Sequence, residues 1–200
     1  MDRELKLGAE ARLTLKGNVV TKKRIKKSYR LEQIDINLRK ARTSQEASLL
    51  QKAARARINV PKVLKVDKEN FSIEMDFVNG TLIDKIINEK YAKELGREIA
   101  VMHDNSIIHG DLTTSNIIVK NNEVYFIDFG LGEISDSIEK KAVDLRVLKE
   151  SIRANHPQKA DKLNKIILDS YKKHSKKAAE VLKRLEDVEK RGRYKERGAQ

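Results

Sequence analysis

The sequence predicts an α+β fold of two lobes, a small antiparallel sheet carrying one helix and then a reduced, mostly helical lobe. Two observations predict it. The first third of the chain alternates apolar and polar residues between turn signals. Beyond Gly80 the apolar residues recur at helical spacing, with a single hairpin interrupting them.

Ala11, Leu13 and Leu15 alternate with Arg12, Thr14 and Lys16, the pattern of a half-buried strand. Val19-Val20-Thr21 follows Gly17-Asn18 and completes a hairpin. Thr43-Ser44-Gln45-Glu46 has the form of a capping box, and Ala47, Leu49, Leu50, Ala53 and Ala54 follow at helical spacing, so one helix is expected to start at Thr43. Segments 61–66 and 71–75 read as two more strands, and Asn79-Gly80 breaks the pattern, which places the lobe boundary between 78 and 79. Ile83, Ile86 and Ile87 mark one helical face and Leu95, Ile99 and Met102 another. Segments 117–120 and 124–127 flank Asn121-Asn122-Glu123 as a hairpin, with Ile117 expected opposite Ile127. Ser137 to Lys190 is helical in pattern, giving a second lobe over 79–189, and 190–200 reads as a basic mobile tail.

Composition narrows the function classes. No cysteine is present, which excludes disulfides, thiolate zinc sites and cysteine nucleophiles. The start Met1-Asp2-Arg3-Glu4 has no apolar stretch behind it, and no run approaches the ~18 apolar residues of a membrane span, so no membrane is expected as partner and the cytoplasm is the expected location. Residues 21–42 hold nine Lys/Arg against two acids and residues 171–200 eleven against five, so these segments account for the whole net charge of +13. Two such patches are either solvated helix faces or the footprint of a polyanion.

The chemistry centres on the hairpin. In the expected register Asn116 and Asp128 face each other, and a carboxylate with an amide oxygen suits a hard cation such as magnesium, though the same pair also serves as a turn cap. His109-Gly110-Asp111-Leu112-Thr113-Thr114-Ser115-Asn116 follows the kinase catalytic-loop pattern H-R-D-L-x-x-x-N with the arginine replaced, and Asp128-Phe129-Gly130 follows Asp111 by seventeen residues. Spacing and order together point to a small bilobal protein-kinase-like fold using ATP and Mg2+.

Gly8-Ala9-Glu10-Ala11, Lys22, Tyr29-Arg30, Glu46, the 109–116 loop, 127–131, Val143-Asp144-Leu145 and Arg191-Gly192-Arg193 together resemble the PRPK-type atypical kinases of the RIO-like superfamily, the kinase/ATPase subunits of the KEOPS (EKC) tRNA-modification complex. The resemblance covers nearly the whole chain. It implies ATP hydrolysis or serine/threonine phosphorylation, and partnership with other KEOPS subunits, among them the TsaD-like subunit that threonylcarbamoylates adenosine 37 of tRNA. Asp111 would be the general base, and Asn116 and Asp128 the magnesium ligands. Lys22 would neutralise phosphate charge and Glu46 would hold it by an ion pair, beside or instead of capping its helix; Lys23 and Arg24 are close neighbours, so the choice of Lys22 rests on the resemblance and on strand direction. The resemblance also places Leu7, Gly8, Ala9, Glu10 and Ala11 over the phosphates and Met75, Asp76, Phe77 and Val78 beside the adenine. Asp144 would brace the catalytic loop, or else be an exposed helix aspartate. tRNA would be met through 22–42 and through Lys190 to Arg197.

The sequence departs from ordinary kinases in three places. One glycine stands where G-x-G-x-x-G has three, and Glu10 sits close to the expected phosphates. Gly110 removes the arginine that reads a phosphorylated activation loop. Only 131–135 separates Asp128-Phe129-Gly130 from the next helix, which leaves little platform for a peptide and favours ATP hydrolysis. The competing expectation is a non-catalytic ATP-dependent RNA-binding adaptor, and Asp111 discriminates between them.

Overall fold

A computed structural model describes residues 3–7 and 10–197, without the side chains of Lys6, Leu7 and 192–197. Five strands, β1 (Arg3–Leu7), β2 (Ala11–Lys16), β3 (Val19–Arg24), β4 (Val63–Asp67) and β5 (Ser72–Asp76), form one antiparallel sheet in the order β1-β2-β3-β5-β4. The β2–β3 turn is closed at Gly17, whose φ of 59° is the left-handed value that glycine adopts without strain.

The helix on this sheet, α1 (Glu32–Arg55), has 24 residues and begins eleven residues before the capping-box motif. Thr43 and Ser44 lie inside it, returning their hydroxyls to the carbonyls of Arg39 (2.7 Å) and Lys40 (3.0 Å). Such back-bonding satisfies a hydroxyl within a continuous helix, which is why the motif misleads here. The true first turn is held from within by Asp35, fully buried, whose carboxylate accepts from the Lys27 amide (3.2 Å) and Arg39 Nε (2.7 Å). Burial opposes its ionisation, but these donors and Arg30 keep its carboxyl below the usual range.

After β6 (Thr81–Leu82) and the single turn α2 (Ile83–Ile86), α3 (Glu89–Asp104) starts on an Asn88 cap that accepts from the Tyr91 amide. β7 (Ile107–Ile108) precedes the catalytic-loop residues, and β8 (Ile117–Lys120) and β9 (Glu123–Phe126) form the expected hairpin, with β6 alongside β8. Its register differs from expectation by one residue. Ile117 faces Phe126 and Lys120 faces Glu123, because Asn121 and Asn122, at φ 51° and 65°, close a two-residue loop. β10 (Glu133–Ile134) pairs with β7.

Three helices complete the fold, α4 (Ile138–Asn155), α5 (Ala160–His174) and α6 (Ala178–Arg197). α3 and α5 approach so closely that a Cβ on Gly96 would lie 2.3 Å from the Ile167 carbonyl. The stretch from Lys190, read above as a mobile tail, continues α6 as far as Arg197. Val181, Leu185 and Val188 are buried along one stripe, which anchors α6, and the Lys, Arg and Glu that follow are good helix formers. Residues 198–200 lie outside the described part. No helix among the described residues is long and apolar enough to cross a membrane.

Candidate active site

Strand alternation decides which cations face inward. Along β3, Lys22 (7% exposed) and Arg24 (5%) share the buried face while Lys23 is exposed. Lys22 Nζ donates to Glu46 Oε1 and to Asp128 Oδ1, both at 2.6 Å. Arg24 Nη2 takes the other Glu46 oxygen at 2.6 Å and the Arg42 carbonyl at 3.3 Å. Glu46, 1% exposed, therefore pairs with two cations through separate oxygens. It has no part in a cap.

Asp128 stands at φ 63°, one residue past the point where the Ile127 amide donates to the Asn116 carbonyl (2.9 Å). The corrected register thus sets Ile127, not Asp128, opposite Asn116. The left-handed turn swings the Asp128 carboxylate towards Lys22, and Oδ1 also accepts from the Gly130 amide (3.2 Å). Desolvation raises its pKa, but the Lys22 ammonium and these bonds outweigh it and hold the carboxyl below the usual range.

On the opposite wall, Asn116 Nδ2 donates to the Asp111 carbonyl and to Asp111 Oδ2, both at 2.9 Å. Its amide oxygen is then the atom left for a cation. Asn116 Oδ1 and the Asp128 carboxylate are hard oxygen donors of the kind magnesium takes, and the few protein ligands suit an ion completed by phosphate and water. Among the described residues no cluster of three or more His, Asp or Glu could hold an ion by itself.

The loop between these walls is braced from below. Asp144, 2% exposed, accepts from the backbone amides of His109 (2.7 Å) and Gly110 (2.9 Å), and from buried His103, which also bonds the Tyr171 hydroxyl. His109 Nδ1 accepts from the Asp111 amide (3.3 Å) while Nε2 donates to the Ile127 carbonyl (3.1 Å). Those roles require a neutral ring, and burial pushes its pKa down despite nearby carboxylates. Thr114 is fixed by Ser151 and Asn155 of α4.

Gly110 replaces arginine for a backbone reason. Its φ is +81°, and a Cβ there would lie 2.1 Å from the Leu131 carbonyl. The short segment after Gly130 lies against the catalytic loop and is tied to α1 by Gln45 Nε2 on the Gly132 carbonyl (2.6 Å).

The remaining expected residues are dispersed. Met75 is buried on β5 opposite Val20, and the Asp76 amide is held by the Lys62 carbonyl (3.0 Å). Phe77 donates its amide to the Asn18 carbonyl, and Val78 is buried. Ala11 is buried on β2. Glu10 is turned towards α1, pairing with Arg42 (3.0 Å) and Arg30 (4.0 Å). Gly8 and Ala9 lie outside the described residues, as does the Leu7 side chain. In the 22–42 patch, Lys22, Arg24, Lys26, Arg30, Arg39, Lys40 and Arg42 each lie within ion-pair distance of a carboxylate. Most of these cations are therefore paired, chiefly by carboxylates from outside the segment, Glu10, Glu46, Glu69 and Asp128. Arg24 is the residue sequence reasoning passed over, and period-two alternation from Lys22 is the signal that could have found it.

The family model for the RIO domain matches residues 14–137. The KEOPS complex subunit Bud32 of Pyrococcus abyssi is 38% identical, over 96% of each chain. A probable bifunctional tRNA threonylcarbamoyladenosine biosynthesis protein of Methanobrevibacter smithii is 40% identical over 88% of this chain, which spans only 33% of that longer protein. Among solved structures, the Rio2 kinase-ADP/Mg2+-phosphoaspartate complex from Chaetomium thermophilum superposes with a TM-score of 0.62 at 15% identity, covering 95% of this chain and 70% of that one. This last likeness shows the protein-kinase-like fold.

Proposed function

The chain belongs to the RIO-domain family, in the group of KEOPS subunits named Bud32, and on that premise we propose that it is a magnesium-dependent ATPase and atypical serine/threonine kinase serving tRNA modification. The observation that carries this reading is the Lys22 ammonium bonded at once to Glu46 and Asp128, facing a wall made by Asp111 and Asn116. Five residues from four parts of the chain meet there, and their chemistry matches the tasks of phosphoryl transfer.

Each residue has a definite task. Lys22 exchanges Asp128 for phosphate oxygens while Glu46 keeps it in place. Asp128 and the Asn116 oxygen hold magnesium, which supplies neutralisation of phosphate charge. Asp111, oriented by Asn116, accepts the proton of an attacking water or hydroxyl. Met75 and the 76–78 linker border the adenine. The partners in this reading are other KEOPS subunits, above all a TsaD-like threonylcarbamoyl transferase acting on adenosine 37 of tRNA. The bifunctional name and threefold greater length of the Methanobrevibacter relative support a second catalytic unit beside a chain of this kind. A role in tRNA modification fits a cytoplasmic location.

The test is ATP turnover measured with and without purified tRNA and the TsaD-like subunit. Asp111→Asn should lower turnover roughly 10²–10⁴-fold with nucleotide affinity retained, since the amide keeps the shape but takes no proton. Full tRNA modification by that variant would make ATP a structural ligand and the chain an adaptor.

A further inference from the structure

Behind the linker that joins the two halves lies a cavity of about 420 Å³, within the usual size range of small-ligand sites. It shares only residues 76–78 with the candidate active site. Its walls come from the end of α1 (Arg57), the following loop (Lys62), the linker (Asp76, Phe77) and the β8–β9 hairpin (Lys120, Tyr125).

The charge of these walls is one-sided. Arg57, Lys62 and Lys120 have no carboxylate within ion-pair distance among the described residues, and Asp76 is the one acid in the wall. This contrasts with the 22–42 patch, where most cations are paired. Aliphatic side chains of the 58–61 loop and the rings of Phe77 and Tyr125 supply an apolar surface beside the cations.

Arg57 adds an independent observation. The Ile58 amide bonds the Ala53 carbonyl and the Arg57 amide the Ala54 carbonyl, both at 3.0 Å, which is the Schellman closure of α1 with Arg57 at the left-handed position. Its φ is 61°, a conformation that penalises any side chain and that glycine ordinarily fills. Among the described residues the guanidinium kept there has no acid within ion-pair distance, which leaves it available to an anion.

We propose that this cavity binds one nucleotide unit of RNA, its phosphate on Arg57, Lys62 and Lys120 and its base against the aromatic side. The choice of RNA rests on the proposed role beside tRNA. A free nucleoside monophosphate offers the same chemistry, and the experiment separates the two sources.

The test measures binding of a fluorescent twelve-nucleotide uridine RNA to the full chain across a salt series, with MgADP present throughout. The variant Arg57→Gly/Lys62→Gln/Lys120→Gln is compared with the parent and with a charge-matched control, Lys93→Gln/Lys159→Gln/Lys165→Gln, three exposed lysines outside both basic segments. The cavity variant should bind at least tenfold more weakly, with a salt dependence shallower by about 0.7 log unit per log unit, since single strands release roughly 0.7 counterion per phosphate neutralised. The control should stay within threefold of the parent. Arg57→Gly alone should weaken RNA binding while the thermal midpoint holds or rises, because glycine relieves the left-handed residue; a purely structural arginine would lower the midpoint and leave binding alone. Uridine monophosphate that displaces the RNA from the parent identifies the cavity as open to free nucleotides, and RNA binding indifferent to it identifies the strand. No RNA binding by the parent, equal binding by parent and cavity variant, or an equal loss in the control overturns the inference. ATP turnover by the same parent sample reads the catalytic proposal separately.

Discussion

Glu46 is the residue on which the site's charge balance turns, because one buried carboxylate is shared by Lys22 and Arg24, with Asp128 supplying the second negative charge. In the proposed mechanism Arg24 would act through Glu46 as a positioning residue, keeping it in place when Lys22 moves to phosphate. Arg24→Gln should lower kcat/KM for ATP by roughly 10–100-fold, chiefly through KM, and the double variant with Glu46→Gln should be hardly worse than Glu46→Gln alone. Steady-state ATP hydrolysis by the four proteins of this cycle measures the coupling, and additive effects would mean that Arg24 acts elsewhere. Gly110 is constrained differently, by backbone. Gly110→Ala meets both a positive φ and the Leu131 carbonyl, so it should destabilise by about 2 kcal/mol or more, read as a thermal midpoint lower by roughly 4–8 °C.

Among elements, the joint that ties the short segment after Gly130 to the helical lobe is an ion-pair cluster. Asp136 accepts from Lys141, 1% exposed, at 2.5 Å and also pairs with Lys177 just before α6. Hydrogen bonds from these two ammonium groups bring its pKa down to about 2 from an ordinary 3.8. A group whose folded pKa is depressed contributes stability that is complete above its unfolded pKa and is lost as pH falls through the folded one. The thermal midpoint should therefore acquire a decline between about pH 4 and pH 2 that Asp136→Asn removes. The same variant should be less stable at neutral pH, because it leaves the buried Lys141 without its counter-charge. Midpoints followed across pH for both proteins check both effects.

For the whole molecule, the lobes meet through few polar bonds, chiefly Lys22 to Asp128, Gln45 to Gly132 and the Phe126 amide to the Asn59 carbonyl. A nucleotide in the cleft would add bonds to both sides. MgATP at a hundred times its Kd should stabilise the chain by about 2.7 kcal/mol, or roughly 5–10 °C in midpoint. Chelating the metal, or Asp128→Ala, should remove most of that shift; an undiminished shift in either case would place the cation elsewhere. Melting curves with and without MgATP and EDTA decide it.

What the sequence determined by itself was local: the hairpins, the α3 face, the run from His109 to Asn116 and the carboxylate at Asp128. Turn chemistry and hydrophobic period are written within about ten residues and survive any packing. The start of α1 was hidden because its first half buries Asp35 and no apolar side chain, and its early turns are held by Asp35 contacts that reach back to Lys27. The hairpin register turned on two asparagines both adopting positive φ, which composition permits but does not require. Only tertiary structure decided that Arg24 shares Glu46, that Gly110 is pressed under Leu131 and that three unpaired cations gather behind the linker. The Lys22–Asp128 bond joins residues 106 positions apart. Contacts at that separation depend on how the sheet and the helical lobe pack together, and no local pattern encodes that.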